Sequence, residues 1–285
     1  MEKQLFKKVK KVPLNEILPG FTYPPGFDHA VVDENKNILN FCTKKYNLIP
    51  NEAIFSPVEF ELEKAGFNYK RNIQIINNSK FYVDYILHEN KCKSPTINDV
   101  FPKISVWNSY DGKIKFRKEY GYYKLLCLNG LTTSLVQFSG KSAKHYVDSK
   151  TGTTNFNDIN KSIKSFAASV KTFINQSKSD MELFELMNHY NITKKDIKRI
   201  LKNIKLSKKV SQIAIDRYNT EVNGGFIFLN ETNEEVEHEG SPETLFTLYN
   251  ALNYAMYNTN VKELPEKKLE KDIVLLRTVE AEVLS

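Results

Sequence analysis

The stretch Val106-Trp107-Asn108-Ser109-Tyr110-Asp111-Gly112-Lys113-Ile114-Lys115-Phe116-Arg117-Lys118-Glu119-Tyr120-Gly121-Tyr122-Tyr123 decides the fold class. Two runs rich in aromatic and β-branched residues, Ile104 to Trp107 and Ile114 to Tyr120, bracket Tyr110-Asp111-Gly112. The Asp-Gly pair supplies the positive φ that a tight hairpin turn needs. Two similar patterns lie upstream. His29 to Val32 and Ile38 to Phe41 flank a polar turn at 33–37, and Tyr69 to Ile76 and Phe81 to Leu87 are joined by Asn77-Asn78-Ser79. Between them, Asn51 is placed to cap a helix running to Lys64 and stopped by Gly66.

Further upstream, Lys3, Lys7, Lys8, Lys10 and Lys11 precede Pro13, Pro19, Pro24, Pro25 and Gly26, which reads as an extended basic arm over residues 1–26. Downstream, the polar stretch Lys141 to Asn157 marks the best candidate boundary, and the apolar period then becomes helical. Ile159, Ile163, Phe166, Val170 and Phe173 share one helical face, and Ser179 with Glu182 makes a capping-box signature for a second helix. Thr193 caps a third, Ser207 to Val222 forms a fourth, and Ser241-Pro242 opens a fifth through Tyr257. The expected fold is therefore α+β. A strand-rich half of antiparallel hairpins with an inserted helix covers 27–140, and a mainly helical region covers 158–285.

Composition narrows the function. The chain has 285 residues, and its 41 Lys and Arg against 34 Asp and Glu leave a formal charge of +7, which favours anionic partners. A solvated lysine-rich surface is the plainer alternative. Cys42, Cys92 and Cys127 have no paired spacing, which suggests neither a disulfide framework nor a zinc site and fits a reducing compartment. No signal-peptide or membrane-spanning run is present in the sequence, so a cytoplasmic chain without membrane contact is expected.

The residues that carry common chemistries are not arranged to do so. Gly140-Lys141-Ser142 ends like a phosphate-binding loop, but Gly130 stands too far upstream to form the cradle. The five histidines are isolated from one another, and Cys127 lies in an apolar stretch suited to a buried thiol. No catalytic residue, metal ligand or cofactor is assigned, and an enzyme ranks below a binding protein.

Two basic features remain. On a strand, Lys113, Lys115 and Arg117 would share one face opposite Ile114 and Phe116, with Tyr120, Tyr122, Tyr123 and Lys124 following. Cations for phosphates and flat rings for bases are the mixture that single strands favour. Lys195, Lys198, Arg199, Lys202 and Lys205 stand at helical spacing opposite Ile197, Ile200, Leu201 and Ile204, making a basic amphipathic helix. Phosphate contact, docking on an acidic protein and plain solvation are all open readings of that face.

Asn108-Ser109-Tyr110-Asp111-Gly112, then Lys124 to Leu131 with Asn129-Gly130, and the aromatic helix Thr244 to Ala251 ending in Asn250-Ala251 resemble an uncharacterised phage- and plasmid-associated family known as domain of unknown function nine-three-two. Lys124 stands where that family carries Arg, which removes a bidentate fork. The resemblance implies a mobile-element protein of a bacterial cytoplasm and brings no catalytic residues with it. Asn108, Asp111, Gly112, Asn129 and Gly130 are read as turn-building positions. The function expected is nucleic-acid binding, with single-stranded DNA favoured, in replication or recombination and with homo-oligomers to extend the groove. The alternative is a non-catalytic phage interaction protein, a counter-defence factor or virion component, that binds an acidic protein.

Overall fold

A computed structural model describes residues 2–23, 25–90, 100–114, 116–124, 129–132, 163–164, 166–204, 206–229, 235–259 and 265–284. The first of these segments is not an extended arm. It folds as α1 (Glu2–Leu5), β1 (Val9–Pro13) and α2 (Leu14–Ile17), because Leu5 and Leu14 are buried and Val12 and Ile17 join Ala30 and Val32 in a small apolar cluster. Two of the lysines between them, Lys7 and Lys11, are structural as well. Lys7 pairs with buried Asp33, and the Lys11 ammonium donates to the carbonyls of Lys44 (2.9 Å) and Tyr46 (2.7 Å).

β1 pairs antiparallel with β2 (His29–Asp33), and β2 with β3 (Ile38–Cys42), in the three-stranded order β1-β2-β3. The Cys42 thiol on β3 is buried, and burial pushes it up to about 11, which keeps it protonated and inert. The helix α3 (Glu52–Lys64) has the expected bounds but not the expected cap. Asn51 is itself helical and its side chain is turned away, donating to the Leu5 carbonyl at 2.8 Å. Ile54, Phe55, Val58 and Leu62 form the buried stripe of α3.

A five-stranded sheet follows in the sequential order β4 (Lys70–Ile76), β5 (Lys80–Ile86), β6 (Val100–Ser109), β7 (Arg117–Lys124) and β8 (Asn129–Thr132). Asn77 (φ 51°) and Asn78 (φ 53°) both adopt the left-handed conformation at the centre of a turn closed by the Ser79 amide on the Ile76 carbonyl (3.2 Å), within the three-residue connection between paired Ile76 and Lys80. β6 lies in the middle of the sheet and is buried along nearly its whole length, with Pro102 inside it. β6 is therefore a central strand covered on both faces.

The remaining elements are α4 (Phe166–His189), α5 (Lys194–Ile204), α6 (Lys208–Asn223), a two-stranded antiparallel ribbon of β9 (Phe226–Leu229) and β10 (Glu235–His238), α7 (Leu245–Thr259) and α8 (Pro265–Leu284). α4 is one continuous helix where two were expected. Val170 and Phe173 before Ser179, and Met181, Phe184 and Met187 after it, are all buried, so a single apolar stripe runs through that point. Thr193 and Asp196 form a reciprocal cap on α5, with Thr193 N–H donating to Asp196 at 2.9 Å. Ser207 caps α6 through the Val210 amide at 3.3 Å. α7 starts later than Ser241-Pro242 suggested, with the Thr244 hydroxyl at its first turn.

The chain divides into two compact units. The first comprises Met1–Ile86, Ile104–Glu119 and Phe138–Lys171; the second comprises Leu87–Lys103, Tyr120–Gln137 and Thr172–Ser285. The expected boundary at 141–157 lies outside the described residues; among the described residues the division passes through β6, β7 and α4. In the second unit α7 is the core element: α6 and α8 pack on it, and α7 and α8 both meet β8. Among the described residues, no helix is long and apolar enough to cross a membrane.

Candidate functional site

The Asn-Ser-Tyr-Asp-Gly segment is the centre of a buried polar network in the first unit. Asn108 is fully buried, and its amide donates to the Asn51 side-chain oxygen at 2.8 Å and to the Ile49 carbonyl at 3.1 Å. The Tyr110 hydroxyl accepts from the Asn51 backbone at 3.1 Å, its carbonyl accepts from the Tyr46 hydroxyl at 2.7 Å, and its N–H donates to the Ser79 carbonyl at 2.7 Å. Ser109 closes the loop by donating to the Ile114 carbonyl and accepting from the Ile114 amide. Asp111 accepts from the Lys113 amide and pairs with the Lys80 ammonium at 2.6 Å, with both side chains largely buried. Gly112 takes φ 66°, as the Asp-Gly reading required. These residues join the end of β6 to the turn before β5 and to the segment preceding α3. Their work is architectural.

Beside this network lies a cavity of about 350 Å³, bounded by the turn Asn77-Asn78, the pair Lys7 and Asp33, and the rings of Phe81 and Tyr110. Burial alone would raise the Asp33 carboxyl, but hydrogen bonds from the Lys7 ammonium, the Asn37 side chain and the Asn37 and Asn35 amides outweigh it and hold the group at about 2. A folded-state pKa below the unfolded one contributes stability above about pH 4 that is lost as pH falls towards about 2. Asp33→Asn is therefore expected to be less stable than the parent near neutrality and to lack its decline between about pH 4 and pH 2. Urea midpoints measured across that range check it, and parallel acid limbs for parent and variant would refute the assignment.

Of the expected cationic strand face, Lys113 is the residue whose side chain is described, and it does not lie on a strand. The loop from Tyr110 closes on Ser109, so Lys113 sits exposed in a bend and the strand starts only at Arg117. Lys115 and Lys205 lie outside the described residues, as do the side chains of Arg117, Tyr123, Lys124 and Asn129; Asn129 and Gly130 open β8. Tyr120 and Tyr122 are core residues and offer no ring for a base. Both pack on Phe173, with centroids 5.5 and 5.3 Å away, and the Tyr122 hydroxyl donates to buried Asp180 at 2.8 Å. Burial pushes the Asp180 carboxyl up against the opposing effect of that hydrogen bond.

Strand parity could have revealed this. Ile114, Phe116, Lys118, Tyr120 and Tyr122 are the even-numbered positions and all are buried. Lys118, which the sequence reading passed over, therefore points inward, with its ammonium 5.4 Å from the Phe166 ring centroid, and burial pushes it down to about 8.

The basic helix is found as predicted, on the second unit. Lys195, Lys198, Arg199 and Lys202 are exposed along one face of α5, while Ile200 is buried on the other. Lys194, Lys208 and Lys209 extend this surface at its ends. Asp196 is engaged by the Thr193 cap, and Arg199 reaches both Asp196 (3.1 Å) and Glu282 of α8 (2.7 Å), which fixes α5 on α8. Among the described residues, none of the six lysines has a carboxylate within ion-pair distance.

The arrangement defines an α+β protein with a sequential five-stranded sheet, an interior carboxamide network and one open cationic helical face. The chain belongs to the family described as Domain of unknown function (DUF932), whose profile matches residues 38–279. No curated protein and no solved structure matches it.

Proposed function

We propose that this chain is a phage- or plasmid-encoded nucleic-acid-binding protein that holds phosphate backbones on the cationic face of α5 and the start of α6. Single-stranded DNA in replication or recombination is the favoured ligand. The observation that carries the reading is the set of six exposed lysines, Lys194, Lys195, Lys198, Lys202, Lys208 and Lys209, left without acidic partners among the described residues. Flexible ammonium groups in open solvent form point contacts to phosphate oxygens and release condensed counterions. With Tyr120 and Tyr122 in the core, the contact is electrostatic in kind, and base edges stay free to pair.

Fluorescence anisotropy with single- and double-stranded oligonucleotides across a salt series tests this. The variant Lys195→Gln/Lys198→Gln/Lys202→Gln is expected to reduce the slope of log affinity against log salt by about 2 on single strands, and affinity near 0.1 M salt by about 100-fold. Absence of binding at low salt, or a slope unchanged in the triple variant, would overturn the assignment.

A further inference from the structure

We infer that the β9–β10 ribbon is a self-association arm whose occupant site is the cationic α5–α6 face of a second copy of this chain. The base of the ribbon is fixed rather than loose. A Cβ on Gly224 would stand 2.5 Å from the Glu239 carbonyl carbon, the Gly225 amide donates to the His238 carbonyl at 2.7 Å, and the Ser241 amide donates to the Glu221 carbonyl at 2.7 Å. At the base of the ribbon Phe226 and His238 are turned inward, with Phe226 lying 5.4 Å from the Arg217 guanidinium and His238 within 3.0 Å of the Glu221 carbonyl, while Val236 further along the same face is 37% exposed.

On the opposite face the described side chains Ile227, Glu235 and Glu237 are exposed. Register places Ile227 beside Glu237 on it, with Glu235 one pair further along. Ile227 is 67% exposed, and Glu235, Glu237 and Glu239 are exposed with no ion-pair partner among the described residues. A two-stranded ribbon alone is marginal in water, and among the described residues neither edge of this one has a strand partner.

Charge selects the partner. No Lys or Arg occurs from Phe226 to Glu243, whereas the 194–209 segment carries only Asp196 against its cations. Within one chain the two surfaces do not neutralise each other, since among the described residues no ion pair joins them. Ribbon-to-ribbon pairing would set Glu235 and Glu237 of two copies together, which like charges oppose. Ribbon on cationic helix is the complementary contact, with Ile227 against the lysine methylene stems. Such a contact is head-to-tail and generates rings or filaments rather than a closed two-fold dimer. It uses the face assigned above to nucleic acid, so the two ligands compete.

Sedimentation velocity on the nucleic-acid-free full chain tests the inference. Self-association is expected at low salt and its loss at high salt. Glu235→Lys/Glu237→Lys and Lys195→Glu/Lys198→Glu should each be monomeric, their equimolar mixture should associate, and the quadruple variant should associate alone. Circular dichroism checks that every variant is folded. A monomeric parent at low salt, association that persists in either double variant, a folded quadruple variant that stays monomeric, or a ribbon that captures only another basic protein would each overturn it. Nucleic-acid binding is scored separately: Glu235→Lys/Glu237→Lys keeps the cationic face and should bind oligonucleotide several-fold more tightly than the self-associated parent. A parent that ignores oligonucleotide while following the charge-swap pattern refutes the proposed function and leaves this inference standing; the reverse result does the opposite.

Discussion

Lys80→Met is expected to lower the unfolding free energy by about 3–5 kcal/mol, because it leaves the Asp111 carboxylate buried without its counter-charge. The ammonium and carboxylate stand 2.6 Å apart, with side-chain exposures of 8% and 10%, so water cannot take over the missing half of the pair. Asp111 also accepts the Lys113 amide, and Ser79 lies within 3.5 Å, so the carboxylate cannot swing outward without opening the 109–114 loop. Urea denaturation provides the measurement. In Lys80→Met/Asp111→Asn no charge is stranded, and the double variant should recover a substantial part of the loss while still lacking the ion pair. A single variant within about 1 kcal/mol of the parent would show that the carboxylate finds solvent and that the pair does not organise the turn.

Phe184→Ala is expected to cost about 3–5 kcal/mol in the second unit, the range for removing a fully buried aromatic ring. Phe184 is 1% exposed and is the point where β7, α4 and α7 meet. Its ring centroid lies 5.8 Å from that of Tyr122, 5.4 Å from Phe246 and 6.3 Å from Tyr249. Deleting it opens a cavity that these rings cannot close without abandoning the Tyr122 bond to Asp180. Leu186, two residues along and 54% exposed, is the internal control, and Leu186→Ala should change stability by no more than about 0.5 kcal/mol. Equal effects in the two variants would mean that the helix is not oriented as described.

The elements that short-range chemistry specifies were readable from the residues. The α+β division, the hairpin at Asn77-Asn78, the left-handed Gly112, the α3 bounds, the Thr193 cap and the one-sided basic helix each follow from a turn residue, a cap or a period. What escaped reading depends on distant partners. Lys7 and Lys11 read as part of a basic arm because neither Asp33 nor the Tyr46 carbonyl is near in sequence. Asn51 looked like a cap because its true partner, Asn108, is 57 residues away. Ser179 looked like a helix start because the burial that carries α4 through it comes from partners on β7 and α7. At the site, the cationic helix was legible because amphipathic spacing is local. Tyr120 and Tyr122 lie in the core because strand parity places them with Ile114 and Phe116, which aromatic composition alone does not reveal.

α7 contains no charged residue, and its run from Leu245 to Asn253 is buried on every side. Such a helix has no solvated face to stabilise it by itself. During synthesis it leaves the ribosome before α8, one of the elements that cover it, and therefore spends that interval as an uncharged, aromatic-rich segment exposed to water. The second unit is thus one whose assembly waits on α8. Its yield in a cell is set by how well the nascent chain is shielded over that interval as well as by the stability of the finished fold.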